Sequence, residues 1–250
     1  MAENRSHTLN TMQSGISFEI CAVNIQSAKA AQAAGGHRIE LCSAIDTGGV
    51  TPSPGLIRHA VTQLDIPVNV LIRPREGNFC FSEAEMAIML DDIRFCREAG
   101  ANGVVVGALN NDGQLDLDAL RAFKSAAGEM ELVCHRAFDF TPDPFAALEQ
   151  LIELGFARVL SSGQADNAFT GRVMLGKLVD AAAGRISIMP GSGIDASNIA
   201  EIVRETGASE YHFTGKRKVC PPGQPIAGLD AAYWISDPEL IKNTIIAAMA

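Results

Sequence analysis

The chain has 250 residues, 47% of them hydrophobic and 20% charged, enough for one sizeable core. Its formal net charge of −9 argues against a nucleic-acid partner, which would need clustered Lys and Arg; the only dense basic run is Lys216-Arg217-Lys218. No apolar run approaches the roughly 18 residues of a membrane span, and the polar N-terminus lacks the apolar stretch of a secretory signal.

Residues 1–15 read as a flexible arm, and 16–250 as one domain in which strand-like and helix-like segments alternate. In chain order the pattern predicts a strand at 17–22, a helix at 25–34, a strand at 38–42, a long loop at 43–53 and a helix at 54–63. Strands at 68–72, 103–106, 131–135 and 158–161 follow, each trailed by a helix: 82–99, 116–127, 144–154 and 168–182. The series closes with a strand at 187–189, a helix at 196–206, a strand at 210–213, a long loop at 215–237 and a helix at 238–249. Ser82 with Glu85 forms a capping box, and Asp143-Pro144 places proline in a first helical turn. Gly35, Gly100, Gly155 and Gly207 recur just before strands 2, 4, 6 and 8, a weak repeat of βαβα quarters. Eight such units in about 250 residues make an α/β protein with a single (β/α)₈ TIM barrel of parallel strands. The Cys220-Pro221-Pro222-Gly223-Gln224-Pro225 run excludes regular helix or central strand within the last loop. A loop this long is a candidate for self-association. Six scattered cysteines without a CxxC pair read as reduced thiols and a cytoplasmic location.

Charged side chains are costly in buried parallel strands unless paired or at an end. Strand 1 reads Phe18-Glu19-Ile20-Cys21 and strand 2 reads Ile39-Glu40-Leu41-Cys42, so each Glu shares a face with its Cys. With the apolar residues outward, Glu19, Cys21, Glu40 and Cys42 point into the barrel. The other strand ends add Arg73, His135, Arg136, Asp139 and His212. In this expectation the two carboxylates face Arg73, Arg136 and His135 and form a catalytic acid–base group at the strand ends, where barrel active sites sit. Ser161-Ser162-Gly163 and Gly191-Ser192-Gly193 are candidate anion-binding turns, because loops after late barrel strands offer backbone amides to phosphate. Cys21 and Cys42 suit a soft ion such as Cu(I); equally, free cysteine often only packs. Cys80, Cys96 and Cys134 carry no assigned role, and His7, His37 and His59 read as surface or arm residues.

At these positions the sequence closely resembles the copper homeostasis protein CutC family. The matching stretches include Phe18-Glu19-Ile20-Cys21, Arg38-Ile39-Glu40-Leu41-Cys42, Gly48-Gly49-Val50-Thr51-Pro52-Ser53 and Ile72-Arg73-Pro74-Arg75. Asn78-Phe79-Cys80-Phe81-Ser82, His135-Arg136-Ala137-Phe138-Asp139, Ser161-Ser162-Gly163-Gln164 and Met189-Pro190-Gly191-Ser192-Gly193 continue in order, so the likeness spans about 17–213. It implies a (β/α)₈ barrel, a cytoplasmic location and a role in copper tolerance, with Cys21 and Cys42 at the family's proposed Cu(I) cysteines. Strand 8 departs from the family pattern at His212-Phe213-Thr214-Gly215-Lys216, as does Glu76-Gly77-Asn78 after Arg75. Three functions therefore compete: weak Cu(I) binding, acid–base catalysis on a small anionic or phosphorylated metabolite, and a non-catalytic barrel with a structural ion-pair core. The expected partner is a copper ion or a small-molecule anion.

Overall fold

A computed structural model describes residues 15–220, 222 and 231–250 and wraps the alternating elements into a nearly closed barrel. Its strands are β1 (Ser17–Ala22), β2 (Arg38–Leu41), β3 (Val68–Leu71), β4 (Gly103–Val106), β5 (Glu131–Cys134), β6 (Arg158–Ser161), β7 (Ser187–Pro190) and β8 (Glu210–Phe213). They run parallel in the order β7-β6-β5-β4-β3-β2-β1-β8, and β7 lies beside β8 at the seam. Around them lie α1 (Ile25–Ala33), α2 (Pro54–Gln63), α3 (Glu83–Ala99), α4 (Leu117–Ala127), α5 (Pro144–Glu153), α6 (Arg172–Ala182), α7 (Ile199–Thr206) and α8 (Pro238–Ala247). This is the (β/α)₈ barrel that the alternation predicts.

The outward faces of the strands make the main core. Phe18, Ile20, Ile39, Leu41, Val70 and Val104 are fully buried against the helices. On α3, Met89, Ile93 and Cys96 supply the inner stripe at helical spacing. A second, smaller cluster lies inside the barrel: Cys21, Cys42, Leu71, Val105, Val133, Leu160 and Met189. The predicted starts hold at Ser82, which makes both bonds of its capping box, and at Asp143, which accepts from the amides of Phe145 and Ala146. Among the described residues no helix is long and apolar enough to cross a membrane.

Three expectations change. The helix expected from 168 begins at Arg172, because Asn167 binds the Thr170 amide and Ala168 N donates to the Ser192 carbonyl, tying this stretch to the β7 turn. The helix expected from 196 begins at Ile199, because Asp195 and Asn198 build their own turn with Ser197. The segment 215–237 is not simply a loop. It contains an antiparallel ribbon, β9 (Lys216–Val219) and β10 (Tyr233–Ser236). A two-stranded ribbon need not bury a face, so hydrophobic alternation was no guide to it. Its Trp234 stacks under the Lys216 ammonium at 4.4 Å and donates to Asp46 at 2.7 Å, and Ser236 N donates to Ser27 Oγ. Residues 1–14 of the expected arm, and Pro221 with 223–230, lie outside the described residues.

Candidate functional site

Strand alternation stacks the inward side chains in layers. Deepest lies a chain of charges of which the sequence reading included only Glu19. Arg38 donates to Glu19 through Nε and to Glu210 through Nη2, both at 2.5 Å. Arg158 then joins Glu210 at 2.7 Å to Glu131 at 2.5 Å. The signal was present: Arg38 and Glu210 lie two residues before Glu40 and His212, on the same strand face. Every charge in this layer has an opposite partner.

Above it, His212 is clamped between two carboxylates. Its Nδ1 lies 2.8 Å from Glu19 Oε1 and its Nε2 lies 3.3 Å from Glu40 Oε2. Parallel pairing places Glu19 opposite His212 and Cys21 opposite Glu40, which brings the three strands to one spot. Burial alone would raise the pKa of Glu19, but hydrogen bonding from His212 and the charge of Arg38 hold it down at about 2. For Glu40 burial prevails against the charge of His212, and its carboxyl is pushed up to about 7. Burial would lower His212, yet Glu40 first, then Cys21 and Glu19, raise it well above the usual imidazole range. Environment thus separates two similar carboxylates: one fixed as an anion, one poised near neutrality.

The thiols complete this floor. Cys21 Sγ and Cys42 Sγ are 3.4 Å apart and buried. Sharing a hydrogen bond with Cys42, together with burial, keeps Cys21 well above the ordinary thiol pKa. The ligand atoms of Cys21, Glu40 and His212 lie within 4.8 Å of one another. This donor set fits a soft or borderline ion.

The mouth is built differently. Arg73, just past β3, donates to the carbonyls of Thr47, Gly49 and Gly77, so it pins the 43–53 loop and the turn after β3. His135 lies one residue past β5 and caps a short 3₁₀ turn (Arg136–Phe140) by accepting from Ala137 N. Burial and the neighbouring Arg73 push its pKa down to about 3, which makes it a neutral imidazole. Asp139 is used up: it accepts from Arg136 Nε, Ser161 Oγ, both the amide and the hydroxyl of Ser162, and the Gln164 amide. Gly163 N donates to Ser161 Oγ, so the amides of the β6 turn already have acceptors. Arg136 reaches across to Ser162 and Ser192. In the β7 turn Gly191 N is taken by the Ser161 carbonyl, and a Cβ there would lie 2.4 Å from Leu160 Cδ1. Ser192 next to it has φ 80°, a left-handed conformation that a serine rarely adopts.

A cavity of about 610 Å³ opens above this floor. It brings together Cys21, Glu40, Cys42, Arg73, His135, Arg136, Ser192, Gly193 and His212 from the expected set. Glu19, Asp139, Ser161, Ser162, Gly163 and Gly191 stand behind its walls as supports. The picture of two carboxylates facing the arginines is thus corrected: only Glu40 lines the cavity, because Glu19 lies one layer deeper and is held by Arg38. His37 also differs from the surface reading; it is half-buried and accepts from Phe18 N. Phe79 and Phe140, which the sequence reading left out of the site, also line the cavity, as do Thr214 and Lys216 after β8. A second cavity of about 520 Å³ shares Gly193, Ile194, Thr214 and Lys216 with the first.

Known proteins bear on this geometry. The chain is 48% identical over 239 residues to a family protein CutC from Parabacteroides distasonis, covering 91% of this chain and 98% of that one. It is 43% identical to another from Mesorhizobium japonicum, with 93% and 94% covered. A crystal structure described as a copper homeostasis protein CutC from Streptococcus agalactiae superposes with a TM-score of 0.76 at 35% identity, over 80% of this chain and 98% of that one. N-(5'-phosphoribosyl)anthranilate isomerase from Pyrococcus furiosus shares the fold alone, at 13% identity and a TM-score of 0.55 over 94% and 98%. The model of the CutC family matches residues 16–217. That span holds the whole barrel floor and mouth, and the chain belongs to the CutC family.

Proposed function

We propose that the protein binds Cu(I), weakly, in a cytoplasmic copper-homeostasis role. The observation that carries this reading is the pair of sulfurs, 3.4 Å apart, at the floor of an open cavity. Thiolates are the ligands that favour Cu(I), and His212 and Glu40 stand beside them. Both thiols must shed protons to bind, and Cys21 holds its proton firmly, so affinity is modest and rises with pH. Anaerobic competition against a Cu(I) chelator tests this. The Cys21→Ser, Cys42→Ser double variant should lose more than about a hundredfold in affinity, because losing even a supporting partner costs about 10–100-fold. Unchanged affinity would remove the site.

A second reading rests on a different observation, the Glu19–His212–Glu40 series. Two carboxylates with pKa values pushed apart around one imidazole form an acid–base device, with Glu40 as the group facing the cavity. On this reading the barrel acts on a small anionic or phosphorylated metabolite, and the expected anion contacts come from Arg73, Arg136 and the β7 turn. Ser192 lines the first cavity and Gly193 both, and no acceptor is found for their amides among the described residues. Phosphate or sulfate should then raise the thermal midpoint by linkage. No protection by any anion overturns this reading.

A further inference from the structure

Arg73 is a buried cation, 6% exposed, whose hydrogen-bond partners are three carbonyls and no carboxylate; its Nε has no acceptor. Buried charge of this kind is normally paired. Close by, His135 is 5% exposed and its Nε2 has no partner. A backbone amide donates to Nδ1, so in the neutral ring the hydrogen sits on Nε2, which is therefore a donor. Both residues line one cavity, while the two donor atoms are covered at its wall and have no acceptor, so the desolvation of each donor is left unmet.

One ring lies against both. The Phe79 centroid is 4.8 Å from that of His135 and 5.0 Å from Arg73 Cζ, and the exposed Phe140 follows at 5.6 Å. The backbone also makes room for this arrangement: a Cβ at Gly107 would lie 2.6 Å from His135 Cε1. A donor pair, a positive charge with no carboxylate in contact and two aromatic faces together describe a binding site for a specific chemistry.

We infer that the cavity holds a subsite for a small organic anion, whose carboxylate or phosphate-monoester oxygens are received by Arg73 Nε and His135 Nε2–H as Phe79 turns aside, and whose apolar body rests on Phe79 and Phe140. This deepens the anionic-metabolite reading and rests on it. It also changes a role. His135 serves as a neutral hydrogen-bond donor to the ligand, and the proton-transferring work stays with Glu40 and His212 across the cavity.

The test is calorimetric titration of the full chain with phenyl phosphate, benzoate and benzyl alcohol, and with inorganic phosphate. The two aromatic anions should bind at least tenfold more tightly than benzyl alcohol, and the stronger of the two names the anionic group. His135→Asn keeps an acceptor for Ala137 N but loses the Nε2 donor, so it should weaken the better anion by about tenfold to a hundredfold. Phe79→Ala provides an independent check: inorganic phosphate should bind more tightly once the ring is gone, and phenyl phosphate should lose its advantage over it. Circular dichroism and the thermal midpoint establish that each variant is folded. Equal binding of benzyl alcohol overturns the subsite, as does anion binding indifferent to both variants; the broader anionic reading survives the second result. Absence of binding by every anion overturns both.

Discussion

The barrel interior sets two charged layers against each other. In the deep layer, Glu19, Arg38, Glu210, Arg158 and Glu131 alternate in sign with contacts of 2.5–2.7 Å, and no ligand is needed to balance them. Around the cavity the polar groups are left open: at the mouth the Arg73 side chain has only carbonyls and His135 Nε2 lacks an acceptor, and on the floor two thiols share a hydrogen bond with each other. Glu19 and Arg38 are buried as deeply as Arg73 and His135. The difference is whether the fold itself answers each charge, and that separates a structural ion network from a binding surface. The idea of a structural ion-pair core therefore suits the deep layer and fails to describe the mouth.

The sharpest challenge to this contrast is to remove one arginine from each layer. Arg38→Met leaves Glu19 without its arginine, held only by His212 and the Asn69 amide, and urea unfolding should show a loss of about 3–5 kcal/mol, the usual result of breaking a buried pair. Arg73→Met strands no carboxylate, so the loss should be only about 1–3 kcal/mol, from three carbonyls deprived of a donor. Equal losses would erase the distinction.

Protonation probes the mouth more gently. His135 is pushed down to about 3 by burial and Arg73, whereas an unfolded imidazole titrates near 6.5. As pH falls below 6.5 the unfolded chain takes up a proton that folded His135 refuses until about pH 3, so the parent loses stability relative to His135→Asn. Unfolding curves at pH 6 and pH 5 should show the gap changing by about 1.2 kcal/mol. A constant gap would mean that this imidazole is not shielded. The smallest effect belongs outside the barrel, where Ser82→Ala removes one hydroxyl cap from α3 and should cost about 1 kcal/mol without altering anion or Cu(I) binding.

Much of this was legible before any coordinates. Alternating Phe18-Glu19-Ile20-Cys21 and Ile39-Glu40-Leu41-Cys42 told which side chains point inward, and the eight βα units told the architecture. Applied to whole strands, the same period of two would also have found Arg38 and Glu210. The β9–β10 ribbon was not legible, because its stability comes from Trp234 reaching Asp46 and Ser236 reaching Ser27, contacts almost two hundred residues or more apart in sequence. Nor did spacing reveal that Asp139 would be saturated by the β6 turn and the Arg136 side chain.

The sequence by itself determined the barrel, the inward face of each strand and the residue types gathered at its mouth, because strand alternation and helix capping are local rules. Only the tertiary structure decided the layering. Parallel pairing places Glu19 opposite both Arg38 and His212, while Cys21 stands opposite Glu40. That register makes one carboxylate a permanent anion, leaves the other near neutrality, and brings Cys21 within 3.4 Å of Cys42. Charges and thiols acquire their chemistry from distance and burial, and those are fixed only when distant strands meet.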